Sequence, residues 1–164
     1  VPLRRWTGVA LAVLFCQIAL GGWVSTNYAG MACSDYPLCH GVFAPEMNFR
    51  QGFALRHEPG VTANGAPLSR EALNAIQWTH RMGAIVTVTL LAVVALRAIL
   101  APRSRGLGAA LLGLALIQAS VGIANVLYVL PLALAVAHNA LAASLLIALV
   151  LLTVEAASAS CSEA

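Results

Sequence analysis

Residues 107–130 read LGAALLGLALIQASVGIANVLYVL, and nothing in this stretch carries a charge. A helix rises about 1.5 Å per residue, so a run of this length crosses the roughly 30 Å hydrocarbon core of a bilayer. Three further stretches share its character: Trp6–Val24, Trp78–Leu100 and Leu132–Val154. Across the chain 60% of residues are hydrophobic, 9% are charged, and lysine is absent. A soluble domain carries about 25% charged residues. A helix bundle in water needs a polar outer face, and these four segments leave almost none. The chain is therefore read as an all-α membrane protein. It is a four-transmembrane-helix bundle, one domain over residues 1–164, with a long extracytoplasmic loop, about residues 25–75, between the first two spans.

The formal net charge of +3 comes from arginines spread along the chain, with no basic run of the kind that binds nucleic acid. Arg4 and Arg5 precede the first span, and Arg97, Arg103 and Arg105 flank the short link between the second and third. Short loops rich in arginine stay on the cytoplasmic side, which places both termini in the cytoplasm. Arg4-Arg5 followed by an apolar stretch also has the look of a signal peptide. The apolar run is too long for one and lacks a small-residue cleavage site, so it is read as an anchor. A chain that begins at Val1 is read as a piece of something longer.

The long loop has turn signals at Glu58-Pro59-Gly60 and Asn64-Gly65-Ala66-Pro67. Ser69 is placed to cap a helix that continues into the second span. Ala101–Gly106 is a tight turn, and Pro131 suits the first turn of the last helix, where its missing N–H costs nothing.

This topology makes the second and fourth spans parallel, and each carries one histidine near its outer end. His80 lies about 14 Å along its helix from Glu71, and His138 about 10 Å from Pro131. The two depths are similar, given that each is counted from an approximate helix start. A weak repeat accompanies them, Gln17-x-x-x-Gly21 on the first span and Gln118-x-x-x-Gly122 on the third. Each hairpin then delivers one histidine from its second helix. Gly21, Gly22, Gly83, Gly113 and Gly122 are candidates for close helix approach in lipid.

An ionisable group within a membrane is costly and usually faces the bundle interior. A lone histidine there is most often a hydrogen-bonded packing residue, whereas two at matched depth point to a shared ligand. Zinc usually takes three or four protein ligands, and no third candidate lies at this depth. A haem iron brings four nitrogens of its own and needs only two axial ligands. His80 and His138 are therefore the expected haem-iron ligands. Arg81 either pairs with a haem propionate or snorkels to the headgroups. Asn125 and Asn139 are expected to form interhelical hydrogen bonds.

Cys33 and Cys39 lie in the outer loop, where a disulfide is the default for such a pair. Metal binding is the alternative, with His40 as a weak third ligand. Cys16 and Cys161 have no evident partner, and His57 is read as a solvated loop residue.

The motifs Gln17–Val24, Cys33–Cys39, Thr79–Gly83, Gly122–Asn125 and Ala137–Asn139, in that order, resemble the haem A synthase family, membrane proteins of cytochrome oxidase assembly. The resemblance covers about Gln17 to Leu152. It implies eight spans in two similar four-helix halves, which together oxidise the C8 methyl of haem O to the formyl of haem A. It further implies that this chain is the second, C-terminal half, with His80 and His138 holding a haem b. The other half, which binds the substrate, carries a glutamate three residues before its first histidine. Gln77 stands there in this chain, so this half is expected not to be catalytic alone. Ser34 and Tyr36 replace a more usual proline and tryptophan. Expected partners are the N-terminal half, haem O synthase, oxidase assembly factors and the lipid of a bacterial plasma membrane. A half-size synthase, a cytochrome b-type electron carrier and a structural membrane protein are the alternatives.

Overall fold

The computed structural model describes residues 3–55, 58–62 and 64–162, with side chains up to Ser158. His57 and the Cys161 side chain fall outside this description. The chain is all-helical in its spans: α1 (Leu3–Thr26), a short α2 (Phe49–Gly52), α3 (Arg70–Leu100), α4 (Arg105–Leu127) and α5 (Leu132–Ser162). Of these, α1, α3, α4 and α5 are long and apolar enough to cross a membrane. The chain is a multi-pass membrane protein.

The helix boundaries follow local chemistry. Ser69 caps α3, its hydroxyl accepting the Ala72 N–H at 3.2 Å, and Glu71 adds a favourable negative charge to the first turn. The loop therefore ends at Ser69, not near residue 75. With 31 residues, α3 is about 46 Å long, well beyond the hydrocarbon thickness. The Ala101–Ser104 turn closes with a 3.0 Å backbone bond. Ser104, buried in that turn, donates to Glu155 Oε1 at 2.5 Å and so ties the α3–α4 link to α5. Helix α4 stops at Leu127, three residues before the apolar stretch does. Val129 and Leu130 take left-handed backbone conformations, at φ 61° and 53°. The Leu130 N–H bonds back to the Asn125 carbonyl at 2.7 Å. In the long connection, Gly60 and Gly65 adopt φ of 81° and 77°, as the two turn signals require.

The helices pack as a closed ring: α1 against α3, α3 against α4, α4 against α5, and α5 back against α1. The two histidine-bearing helices, α3 and α5, are thus diagonal to one another. The main core lies toward the end that carries Arg97, Arg103 and Arg105. It includes Leu14 of α1, Leu91 and Val94 of α3, Leu111 of α4, and Leu149 and Leu152 of α5. At the opposite end, Val24, Ala29, Leu68, Ala72 and Ile76 form a second small core beneath the long connection.

Lipid is as apolar as leucine, so helix association in a membrane depends on close packing. Between the backbones of two spanning helices, a close approach is made at Gly108. A Cβ there would lie 2.8 Å from the Ala95 carbonyl oxygen and 2.8 Å from the Ala98 Cβ. Sequence reading passed over Gly108. Of the glycines it chose, Gly22 and Gly113 have no neighbour within 4 Å of a Cβ position. Gly108→Val is expected to separate α3 from α4 and to destabilise the bundle by about 1–3 kcal/mol, the usual range for overpacking. Gly113→Val should be near neutral. Thermal unfolding of the two variants in detergent, side by side, checks this.

Candidate haem-binding site

His80 on α3 faces α1. The Gln17 side-chain amide reaches Nδ1 of His80 at 3.1 Å and donates to the His80 carbonyl at 3.0 Å. One turn further along α1, a Cβ at Gly21 would sit 3.3 Å from Cε1 of the same ring. The second hairpin repeats the arrangement. The Gln118 amide on α4 reaches Nε2 of His138 on α5 at 3.3 Å. A Cβ at Gly122 would sit 3.0 Å from the His138 Cε1. Each imidazole is therefore seated on a Gln-x-x-x-Gly pair of its hairpin partner: the amide holds one ring nitrogen and the missing side chain makes room for the ring. The sequence repeat was visible, but the contact it makes was not. The two histidines thus sit on diagonal helices of the ring.

At this level the protein packs most loosely. No residue is fully buried over 15–23 of α1, 78–86 of α3, 116–124 of α4 or 132–144 of α5. Several polar atoms buried in this half of the bundle lack a hydrogen-bond partner, among them His138 Nδ1, Gln17 Oε1, Gln118 Oε1 and Asn125 Oδ1. In hydrocarbon such atoms cannot turn to water. Asn125 does make one bond, from Nδ2 to the Leu134 carbonyl at 3.4 Å, which joins α4 to α5 as expected. Among the described residues no group of three or more His, Cys, Asp or Glu side chains is placed to hold a metal ion. Two histidines from diagonal helices are a donor set suited to a group whose metal needs only two protein ligands. The residues present fit a haem.

Arg81 is turned away from the histidine level and onto the long connection. Nη1 donates to the Leu38 carbonyl at 2.8 Å and Nη2 to the Cys33 carbonyl at 2.7 Å. Its guanidinium also lies 5.9 Å from the centre of the Tyr36 ring, so the tyrosine at this position gives the cation an aromatic face. Cys33 and Cys39 are joined in a disulfide. Cys16 is free and exposed. Asp35 braces the same turn, accepting the His40 N–H at 2.7 Å and the Gly41 N–H at 2.9 Å. These bonds, the Gly41 N–H foremost and then that of His40, hold the Asp35 carboxyl below its ordinary range. His40 itself contacts Asn74 Oδ1 at 3.4 Å, not a metal cluster.

Arg81 is the last of a series. The Asn48 N–H bonds to the Glu71 carbonyl, Asn74 Nδ2 donates to the Glu46 carbonyl, Gln77 Nε2 to the Gly30 carbonyl, and Trp78 Nε1 to the Phe43 carbonyl. Positions 71, 74, 77, 78 and 81 recur at helical spacing, so one stripe of α3 carries the connection. Gln77 is 4% exposed and serves here as a loop anchor. The spacing was readable in the sequence, but the partners are carbonyls of irregular backbone and leave no pattern to read.

A model of the cytochrome oxidase assembly protein family matches residues 1–150. A haem A synthase of Shewanella oneidensis is 39% identical over 142 residues, which are 87% of this chain and 43% of that protein. The chain belongs to the haem A synthase family. Haem A synthases of a Chelativorans species and of Caulobacter vibrioides are 34% and 30% identical, over 85% and 88% of this chain. The chain spans less than half the length of each, 36% and 40% in these two cases. No solved structure matches it.

Arg81→Ala removes two charge-assisted bonds, each of a kind that contributes about 1.5–3 kcal/mol. The segment from Cys33 to Val42 should exchange its amide hydrogens faster, with the spans unchanged; hydrogen exchange by mass spectrometry reads both. The Asp35 contribution has the opposite sign to that of a buried base. A lowered carboxyl pKa adds stability above the ordinary carboxylate range, and that stability is lost as pH falls through the lowered value. The His40 and Gly41 amides should therefore lose protection only in acid.

Proposed function

We propose that this chain is the haem b-binding, C-terminal half of a haem A synthase, with His80 and His138 as the axial ligands of the iron. One observation carries the reading: two histidines on diagonal helices, each seated on a Gln-x-x-x-Gly pair of its own hairpin partner. The complete enzyme takes haem O as substrate and gives haem A as product, oxidising the C8 methyl to a formyl for cytochrome oxidase assembly. A bound haem b supplies one-electron chemistry to that reaction. The protein's part is to fix two imidazoles, to wall the group with apolar helices, and to keep water from the ring nitrogens.

Gln77 supports an auxiliary role for this half. It stands where the family's substrate half carries a glutamate, and a carboxamide neither gives nor takes a proton at ordinary pH. Its amide is instead committed to the Gly30 carbonyl at 3.1 Å. Carboxylates are distant as well: Glu71 lies about two and a half turns from His80, and Glu155 bonds Ser104 at the far end.

The arginine-rich links support an orientation with both termini in the cytoplasm of a bacterial plasma membrane. The disulfide-bearing connection then lies on the oxidising side. Its partners in this reading are the N-terminal four-helix half, haem O synthase and oxidase assembly factors.

The purified chain should show a low-spin haem spectrum on reduction, and His80→Ala or His138→Ala should abolish it. Wild-type haem content and line shape in both variants would sink the ligand assignment. Gly122→Ala, at the tighter of the two seats, should weaken haem retention more than Gly21→Ala does. Expressed with a source of haem O in cells that have no other synthase, the chain should yield no haem A by chromatography of extracted haems. Haem A in that extract would show that this half is catalytic by itself.

A further inference from the structure

The two glutamines do more in this fold than fill space. A neutral imidazole that gives one nitrogen to a metal keeps its proton on the other, and buried in hydrocarbon that N–H needs an acceptor. Gln17 and Gln118 are the side chains that touch a ring nitrogen of His80 and His138, at 3.1 and 3.3 Å. Oε1 of each is buried with no hydrogen-bond partner. A carboxamide has nearly the same shape with its oxygen and nitrogen exchanged. Turned about its last bond, each amide presents that oxygen to the ring. Gln17 then exchanges its bond to the His80 carbonyl for one from the imidazole. The contact to His138 is the one bond that the Gln118 side-chain amide makes among the described residues.

We propose that Gln17 and Gln118 are positioning residues for the axial ligands. The carboxamide oxygen of each accepts the N–H of its iron-bound histidine, fixes the ring's rotation and tautomer, and raises its donor strength. This rests on the haem-ligand reading above. The pairing is made within each hairpin, α1 with α3 and α4 with α5, so each hairpin carries a ligand together with the group that orients it. A stronger donor favours ferric over ferrous iron, so these two amides hold the haem's potential low. Partners of this kind typically change metal affinity by about 10–100-fold when removed.

The experiment compares Gln17→Leu, Gln118→Leu, Gln17→Glu and Gln118→Glu in the full chain, by midpoint potential and by the low-spin electron paramagnetic resonance spectrum of the bound haem. Leucine keeps the volume and removes the acceptor. The leucine variants should lose about tenfold in ferric-over-ferrous preference, a rise of about 59 mV for a one-electron couple. The glutamate variants keep a carbonyl oxygen at the ring and should sit at or below the wild-type potential. Opposite shifts from leucine and glutamate would support the role, since a merely structural residue would move both the same way. Shifts in one direction, or haem bound with no shift, would overturn it. If the leucine variants lose haem, retention at wild-type potential in the glutamate variants supports the proposal and loss in both pairs overturns it. A wild-type chain without haem would overturn the ligand reading itself, which the two histidine variants test separately.

Discussion

Inside a bilayer a polar atom has no water to turn to, and this constraint orders the whole structure. Along the spans, hydroxyls are satisfied within their own helices, as where Thr87 donates to the Gly83 carbonyl and Ser144 to the Ala140 carbonyl. Glu155, near the arginine-rich end, is met by Ser104. Apart from Trp6 Nε1 toward the arginine-rich end, the exceptions lie in the half of the bundle that carries the histidines, where amide oxygens and a ring nitrogen are buried without partners. A membrane protein tolerates polar groups at depth only where they are used. The same layer is the one in which none of the four long helices has a fully buried residue. Unsatisfied polarity and loose packing thus coincide near the level of the two histidines.

Much of this was legible in the residues. Four spans follow from length and apolarity alone, and the Ser69 cap, the glycine turns and the Ala101–Gly106 link follow from local rules that need no tertiary partner. That the two histidines fall on the second and fourth spans was legible from the order of the segments. What stayed hidden depends on neighbours brought in by folding. Gly108 looks like any other glycine in a small-residue helix, and its importance comes from the backbone of α3 lying against it. Gly113, five residues on, has the same chemistry and meets nothing. Gln77 and Arg81 read as an absent acid and a candidate propionate ligand, because the sequence offered no sign that irregular backbone would bring its carbonyls to them. The apolar stretch runs on past the end of α4 through Tyr128–Leu130, where the left-handed turn at Val129 and Leu130 reverses the chain ahead of Pro131.

The repeat relates the two hairpins more deeply than the sequence suggests. Gln17 and Gly21 precede His80 by a long connection, whereas Gln118 and Gly122 precede His138 by a tight turn. The loops differ in every respect, yet the seats agree in residue type and spacing, with the amide on Nδ1 of His80 in one and on Nε2 of His138 in the other. Packing of helix on helix, and not the route between them, sets the histidine geometry.

The overhang of α3 has a consequence for the connection it carries. A segment of some forty residues is too small to bury a core of its own without staples. Here it borrows one. Part of its apolar cluster, Val24, Ala72 and Ile76, belongs to the membrane helices, and its backbone hangs from a ladder of side chains on turns of α3 that reach past the lipid. The helix works as a mast rooted in the bilayer, and the loop is rigged to it. Order outside the membrane is thereby bought with helix length, and any thinning or thickening of the surrounding lipid reaches the loop through a single stiff rod.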